Sequence, residues 1–481
     1  MFLTRRQLMR LGAASVLPRL STRPLRTSKP NMVLFLIDDL GWRDLGFMGS
    51  RYYETRRIDC LAGEGMIFSD AYANAPVCAP TRACLLSGQY GPRHGVYTVW
   101  KSDRKPDNKR KLIPVPNKEH LDPGNVTFME LLRSSGYVGA CIGKWHLGAD
   151  PDKGPIGQGF DLNVGGNASG APPSYFSPYR NPQLPDGPPG EYLTDRLTDE
   201  AIRFIAENRS KPFFLYFTHY AVHEPIQAKE EVVAHFSGKD PDGGQKNPRY
   251  AAMIKSVDDS VGRVLDKLRE LGLEDDTIII FTSDNGGHGT VTSNAPLRGS
   301  KGMLYEGGIR EPMIVRWPGR VKAGSRCSTP VMTIDLYPTF LELAGIAKPQ
   351  DKVLDGLSLL PLLTGTGRFR RDAVFWHFPA YLQRYAGMEG YWRTTPAGAI
   401  RKGDWKLIEF FEPLGEENRL ELYNLHEDIG ESRNLVKARP DKAKELLHDL
   451  QDWRQAVNAP VPTERNPKYD PNAEPDGFDW S

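Results

Sequence analysis

Two sets of residues in this chain are arranged for chemistry. The first is centred on Cys78, in the run Cys78-Ala79-Pro80-Thr81-Arg82, continued as Ala83-Cys84-Leu85-Leu86-Ser87-Gly88. Proline has no N–H to leave unsatisfied, so Pro80 suits a first helical position, and a helix is predicted to start there and run through Leu86. Free N–H groups at that start would face a bound anion. A cysteine in this setting is placed for conversion rather than for pairing. Cys84 lacks Pro and Arg at the same offsets and reads as an ordinary buried thiol. The second set is Asp38-Asp39 with Asp284-Asn285. These offer only hard oxygens, which suit Ca2+ or Mg2+ and argue against a soft metal. Asp-Asn-Gly-Gly read alone is a turn. Adjacent carboxylates, however, need a cation to hold them together, and the two sites together decide for a metal.

These groups have to be carried by something rigid. Met32 to Ile37 is a continuous apolar run of strand length that stops at Asp38, and Thr277 to Phe281 repeats the pattern before Asp284. Tyr137 to Ile142 runs into Gly143-Lys144-Trp145-His146, and Phe213 to Phe217 into a loop with His219 and His223. Such runs read as fully buried parallel strands. Helical stretches are predicted over Phe128 to Ser134, Leu193 to Asn208 and Tyr250 to Leu271. Strands alternating with helices predict an α/β fold, a parallel sheet covered on both faces, with ligands beyond the strand C-terminal ends. All four polar clusters sit at such ends.

The Cys78 segment resembles the type I sulfatases of the alkaline phosphatase superfamily, in which the first Cys of C-x-P-x-R is oxidised to formylglycine. Thr81 fits the Ser or Thr usual at the fourth position. In the same family, D-D near the N-terminus and D-N much later bind one divalent ion beside the formylglycine. Lys144 and His146 match its G-K-W-H-x-G. His223, in Ala221-Val222-His223-Glu224-Pro225, is similar to its A-P-H-x-P, with Val222 in place of the usual Pro. His219, four residues earlier, is the alternative. Lys301, in Leu297-Arg298-Gly299-Ser300-Lys301-Gly302 before Glu306-Gly307-Gly308-Ile309-Arg310, matches the late sulfate-binding lysine.

The resemblance implies a large mixed, mostly parallel sheet sandwiched by helices, and a smaller C-terminal α+β part on a short antiparallel sheet. It also implies a reaction in which a hydrated aldehyde at position 78 attacks sulfur. Asp38, Asp39, Asp284 and Asn285 would hold the metal, while Arg82, Lys144 and Lys301 neutralise the anion. His223 would protonate the leaving oxygen, and His146 would take a proton from the second hydroxyl so that sulfate is expelled. A maturase that makes formylglycine is an implied partner. Two rivals stay open. A phosphoryl-transfer enzyme of the same superfamily would have Ser or Thr at position 78 and a second Asp/His metal site. A non-catalytic binder of sulfated glycans would have lost some of these residues.

Composition bounds the rest. At 481 residues the chain exceeds what one core usually supports. A balance of 62 basic against 60 acidic residues gives no polycation for nucleic acid, so anion recognition must be local. Thr4-Arg5-Arg6-Gln7-Leu8-Met9-Arg10, followed by the short apolar run Leu11 to Leu17, looks like a twin-arginine export signal. Residues 1–28 are therefore expected to be an export segment, 29–365 catalytic and 366–481 a C-terminal subdomain with an irregular tail, in a periplasmic or extracellular protein. No later stretch reads as a membrane span. Five cysteines without C-x-x-C spacing argue against thiolate zinc and leave disulfide pairing open. In the C-terminal part, Ala399 to Glu409 reads as a hairpin, Leu420 to Asn424 as a strand, and Asp441 to Ala456 as an amphipathic helix packing Leu446, Leu447, Leu450 and Trp453. Insertions at Lys101 to Pro123, Gly165 to Gly190 and Phe378 to Pro396 are expected on the ligand side. The last holds Tyr381, Tyr385, Tyr391 and Trp392, which suit either sugar stacking or loop bracing. Export and loop richness favour a carbohydrate sulfate over a small aryl sulfate.

Overall fold

A computed structural model describes residues 29–149, 151–385, 388, 390–412 and 419–472. The expected export segment lies outside them. Nine strands form one sheet: β1 (Asn31–Ile37), β2 (Met66–Tyr72), β3 (Val138–Gly143), β4 (Leu162–Val164), β5 (Phe213–Thr218), β6 (Thr277–Ser283), β7 (Arg310–Arg316), β8 (Ser325–Cys327) and β9 (Val331–Met332). Their order is β4-β3-β5-β1-β6-β7-β2-β8, with β9 also on β2. The half from β4 to β6 is parallel, and the antiparallel β7 makes the sheet mixed.

Apolar residues on both faces of β1 explain why the strand is buried throughout. Val33, Phe35 and Ile37 enter one core, under helices Arg56–Glu64, Leu193–Glu207 and Pro248–Glu270. Met32, Leu34 and Leu36 enter the other, under helices Cys78–Ser87, Phe128–Ser134 and Leu336–Leu343. A parallel strand buried on both faces carries such a run because neither face meets water. The four expected strands are β1, β3, β5 and β6, adjacent in the sheet and running in the same direction. Their C-terminal ends therefore open at one edge.

The second sheet is antiparallel, β10 (Val374–Phe378), β13 (Ala397–Lys402), β14 (Trp405–Phe410) and β15 (Leu420–Asn424), beside a short pair, β11 (Leu382–Gln383) and β12 (Trp392–Thr394). Helix Pro440–Ala456 covers one face, burying Leu446 and Leu450 against Ile400, Leu407 and Leu422, with Leu447 and Trp453 packed at the margin. The other face meets the large sheet through Trp376, whose indole N–H donates to the Ala73 carbonyl (2.8 Å) and whose ring stands edge-on to Tyr72. Behind it lies a buried ion network. Glu306 accepts from Lys406 (2.9 Å), Arg310 (3.1 Å) and the Tyr72 hydroxyl (2.7 Å), and Lys406 also meets Glu431 at 2.8 Å. Glu306 and Arg310 thus join the two sheets and do not face the site.

One local expectation is corrected. The helix starts at Cys78, so Pro80 is its third residue and not its first. The first several N–H groups of a helix lack internal partners, so proline costs nothing there either.

Candidate active site

Asp38 and Asp39 follow β1, and Asp284 and Asn285 follow its hydrogen-bonded neighbour β6, where Ile37 stands opposite Ser283. This register brings the two motifs together across 245 residues of chain: the Asp39 N–H donates to Asp284 Oδ1 (3.3 Å). One oxygen each from Asp38, Asp39 and Asp284 lie within 4.8 Å of one another. Asn285 Nδ2 donates to Asp39 Oδ1 (2.8 Å), which leaves Asn285 Oδ1 buried without a partner, and Asp38 Oδ1 is buried and unpartnered as well. A buried unpaired oxygen costs about 1–3 kcal/mol. Two such oxygens within a cluster of three carboxylates and an amide suit a bound cation, and an all-oxygen set fits a hard divalent ion.

Cys78 stands at the same place. Its Sγ, an Asp38 oxygen and a His223 nitrogen lie mutually within 4.8 Å. Burial pushes the Cys78 thiol up, against the lowering effect of Lys144 and Lys301. A buried, protonated thiol is a poor nucleophile. Cys84 points elsewhere, its Sγ 3.4 Å from His94 Nε2. All five cysteines are free.

The cations interleave with the carboxylates. Lys144 Nζ lies 2.6 Å from Asp38 Oδ2, and Lys301 Nζ 2.7 Å from Asp39 Oδ2. Arg82 reaches Asp284 Oδ2 through Nη2 at 2.7 Å, donates to the Lys144 carbonyl (3.0 Å) and meets Thr218 Oγ1. Three carboxylates balance three cations, so a divalent ion would leave the pocket with a net charge suited to an anion. Burial, with repulsion from Asp284 and Asp39, pushes the Asp38 carboxyl well up despite Lys144. Asp39 is held well below the usual carboxylate range: burial opposes its charge, and the Lys301 ammonium leads the effects that more than offset it.

The histidines divide sharply. His223 Nε2 is 3.6 Å from Asp39 Oδ2. Val222 supports its loop by donating to the Asp38 carbonyl (2.7 Å), a bond that the family's usual proline has no N–H to make. His219 is in the core, against Phe217 and 3.2 Å from Ser260 Oγ, and burial pushes it down to about 3. His146 is half-buried with a positive φ of 66°, its Nδ1 enclosed and unpartnered. Burial, then Lys144 and Arg82, keep it neutral. Gly170 packs on its ring so closely that an added Cβ would fall 2.4 Å from Cε1.

Sequence reasoning missed His288, four residues past Asp284. Burial pushes it down to about 4, and the charges of Asp39 and Lys301 act on it. Its ring packs on Tyr385 (4.3 Å), whose hydroxyl donates to the Lys301 carbonyl (3.0 Å). The available signal was its position in the Asp284-Asn285-Gly286-Gly287 loop. Of the other aromatics, Tyr381 is buried on Glu412, and Trp392 donates to the Lys109 carbonyl, so both brace loops.

Residues 30–346 match the family model described as Sulfatase. The chain belongs to the sulfatase family. It is a sulfuric ester hydrolase, and its fold is the alkaline-phosphatase-like one expected of that family. A second model, N-sulphoglucosamine sulphohydrolase, C-terminal, matches residues 300–457. This sulfatase is 36% identical to N-acetylgalactosamine-6-sulfatase of Canis lupus familiaris over 72% of this chain and 68% of that protein. It is 34% identical to a sulfatase of Formosa agariphila over 92% of this chain and 91% of that one. Among solved structures, Ps i-CgsB in complex with k-i-k-neocarrahexaose superposes with a TM-score of 0.73 at 31% identity, covering 89% of this sulfatase and 93% of that chain. No helix among the described residues is long and apolar enough to cross a membrane.

Proposed function

We propose that this sulfatase removes sulfate esters from a carbohydrate, using formylglycine made from Cys78 by a maturase and one Ca2+, or Mg2+, held by Asp38, Asp39, Asp284 and Asn285. The observation that carries this reading is the placement of a buried, protonated Cys78 beside a carboxylate cluster with unpaired oxygens. The carbohydrate part is supported by the N-acetylgalactosamine-6-sulfatase and carrahexaose-bound relatives. Export to the periplasm or outside, from the basic and apolar N-terminus, belongs to the same proposal.

The converted residue supplies a hydrated aldehyde, one hydroxyl to attack sulfur and a second to release sulfate, and the metal when bound lowers a hydroxyl pKa and screens sulfate oxygens. The remaining work is done by side chains. Arg82, Lys144 and Lys301 place positive charge around the sulfate and the charge that builds in the transition state. His146, kept neutral by burial and by Lys144, is free to accept the proton of the second hydroxyl. His223 is also held neutral, by burial and Lys301, in the pocket without substrate. A sulfate monoanion beside it favours the imidazolium, the form that donates to the leaving oxygen.

The test is leaving-group dependence. His223→Ala is expected to slow a sugar sulfate by about 10²–10⁴-fold, the range for a lost general acid. It should slow a nitrophenyl sulfate, which leaves without a proton, far less. His219→Ala should slow both equally and by smaller factors. Rates with the two substrates decide it: leaving-group dependence in the His219 variant instead would overturn the assignment.

A further inference from the structure

Each cation of the sulfate pocket has a carboxylate partner, whereas Arg393 beside it and Arg104 in the adjoining loop make no carboxylate ion pair among the described residues. Arg393, in β12, lies 3.9 Å from the centroid of the Tyr385 ring and packs against Gly302, where an added Cβ would fall 2.8 Å from its Nε. It therefore stands beside the Lys301-Gly302 turn, against the same Tyr385 that donates to the Lys301 carbonyl. Its Nε and Nη1 are buried without a hydrogen-bond partner.

Arg104 comes from a different loop, the 101–123 insertion. It donates to the Val99 carbonyl, and its Nε is likewise buried and unpartnered. The two loops meet where the Gln383 amide, opposite Trp392 in the β11–β12 pair, donates to the Lys105 carbonyl (3.4 Å), and burial and then the charge of Arg393 lower the Arg104 pKa. Two half-buried guanidiniums that repel each other are a cost that an anion would relieve. Their forked donors match a carboxylate or a sulfate.

The Arg104 guanidinium also lies over the ring of Trp100, 5.2 Å from its centroid. Trp100 is 60% exposed, the most exposed large apolar residue among the described residues, and it has a positive φ of 57°. A bulky residue in that conformation is an outlier of the kind that gathers at binding sites. An exposed indole beside charged donors provides an apolar face on which a sugar ring can stack.

We propose that Arg104 and Arg393 form an anionic subsite for a carboxylate or a second sulfate on the sugar next to the one that carries the scissile ester, with Trp100 as that sugar's stacking face. This deepens, and rests on, the sulfated-carbohydrate reading above. It narrows the substrate to a polyanionic glycan, one in which neighbouring sugars both carry negative charge.

The experiment is calorimetric titration of the full-length, metal-loaded Cys78→Ala protein, which reads binding without turnover. Three sulfated disaccharides serve as probes, differing only on the neighbouring sugar: neutral, bearing a uronate carboxylate, or bearing a second sulfate. At least one anionic probe is expected to bind about ten-fold or more tightly than the neutral one, since a hydrogen-bonded charge contributes about that much. Which anionic probe gains identifies the source of the anion. Arg393→Gln and Arg104→Gln should each remove most of that preference, and Trp100→Ala should weaken all three probes alike. Binding of all three with equal affinity, or a preference that survives both arginine substitutions, overturns the subsite alone. Failure of every probe to bind overturns the carbohydrate reading and the subsite with it.

Discussion

Cys78→Ser is expected to abolish sustained desulfation, lowering multiple-turnover kcat by about a thousand-fold or more while the protein still binds sulfate esters. The reason is the count of hydroxyl groups. An aldehyde hydrate offers one hydroxyl to take the sulfuryl group and a second whose deprotonation expels it, but serine has only the first. Position 78 is also fully enclosed, in a helix whose ten residues are all buried, so a serine there gains no other route to release. Pre-steady-state assays with a nitrophenyl sulfate check this: at most one equivalent of nitrophenol per enzyme is expected. Continued turnover by the serine variant contradicts the mechanism.

Removing the cation is expected to have an effect of similar size. Asp38→Ala should lose most bound metal and about a thousand-fold in kcat/KM, since charge stabilisation by a metal supplies several kcal/mol of the barrier reduction. Chelation of the wild type should do the same and be reversed by added Ca2+ or Mg2+. The substitution has a second consequence that chelation lacks. Asp38 accepts from Lys144 at 2.6 Å, so its loss leaves a buried ammonium without its carboxylate partner. Elemental analysis together with rates separates these effects. Full activity in metal-free protein, or stoichiometric zinc after purification without added metal, counts against the hard-cation site.

Much of this site was legible because its carriers are extreme in composition. β1, β3, β5 and β6 are nearly unbroken apolar runs, each followed within five residues by the polar residues that matter. β7 was not legible. Its sequence, Arg310-Glu311-Pro312-Met313-Ile314-Val315-Arg316, carries three charges and a proline yet is buried throughout. The arginines are tolerated there through partners outside the strand: the distant Asp70 and the nearby Glu306 for Arg310, and the distant Glu64 and Glu274 for Arg316. β2, with Ser69 and Asp70 inside it, was hidden for the same reason.

The choice between His219 and His223 likewise needed three dimensions. Four residues separate them, but one faces Ser260 in the core and the other Asp39. Motif spacing pointed to Asp38, Asp39, Asp284 and Asn285 as candidate ligands, and register accounts for their convergence. Arg104, Arg393 and Trp100 carry no motif; only their unpaired donors and exposure mark them.

The central claim, that Cys78 is the precursor of the nucleophile, is tested most directly by peptide mass spectrometry of the Cys78 segment from active enzyme co-expressed with a formylglycine-generating maturase. An aldehyde at position 78, in a fraction that rises in step with specific activity across preparations, is the predicted result. Full activity in protein whose Cys78 is entirely unmodified thiol would contradict it.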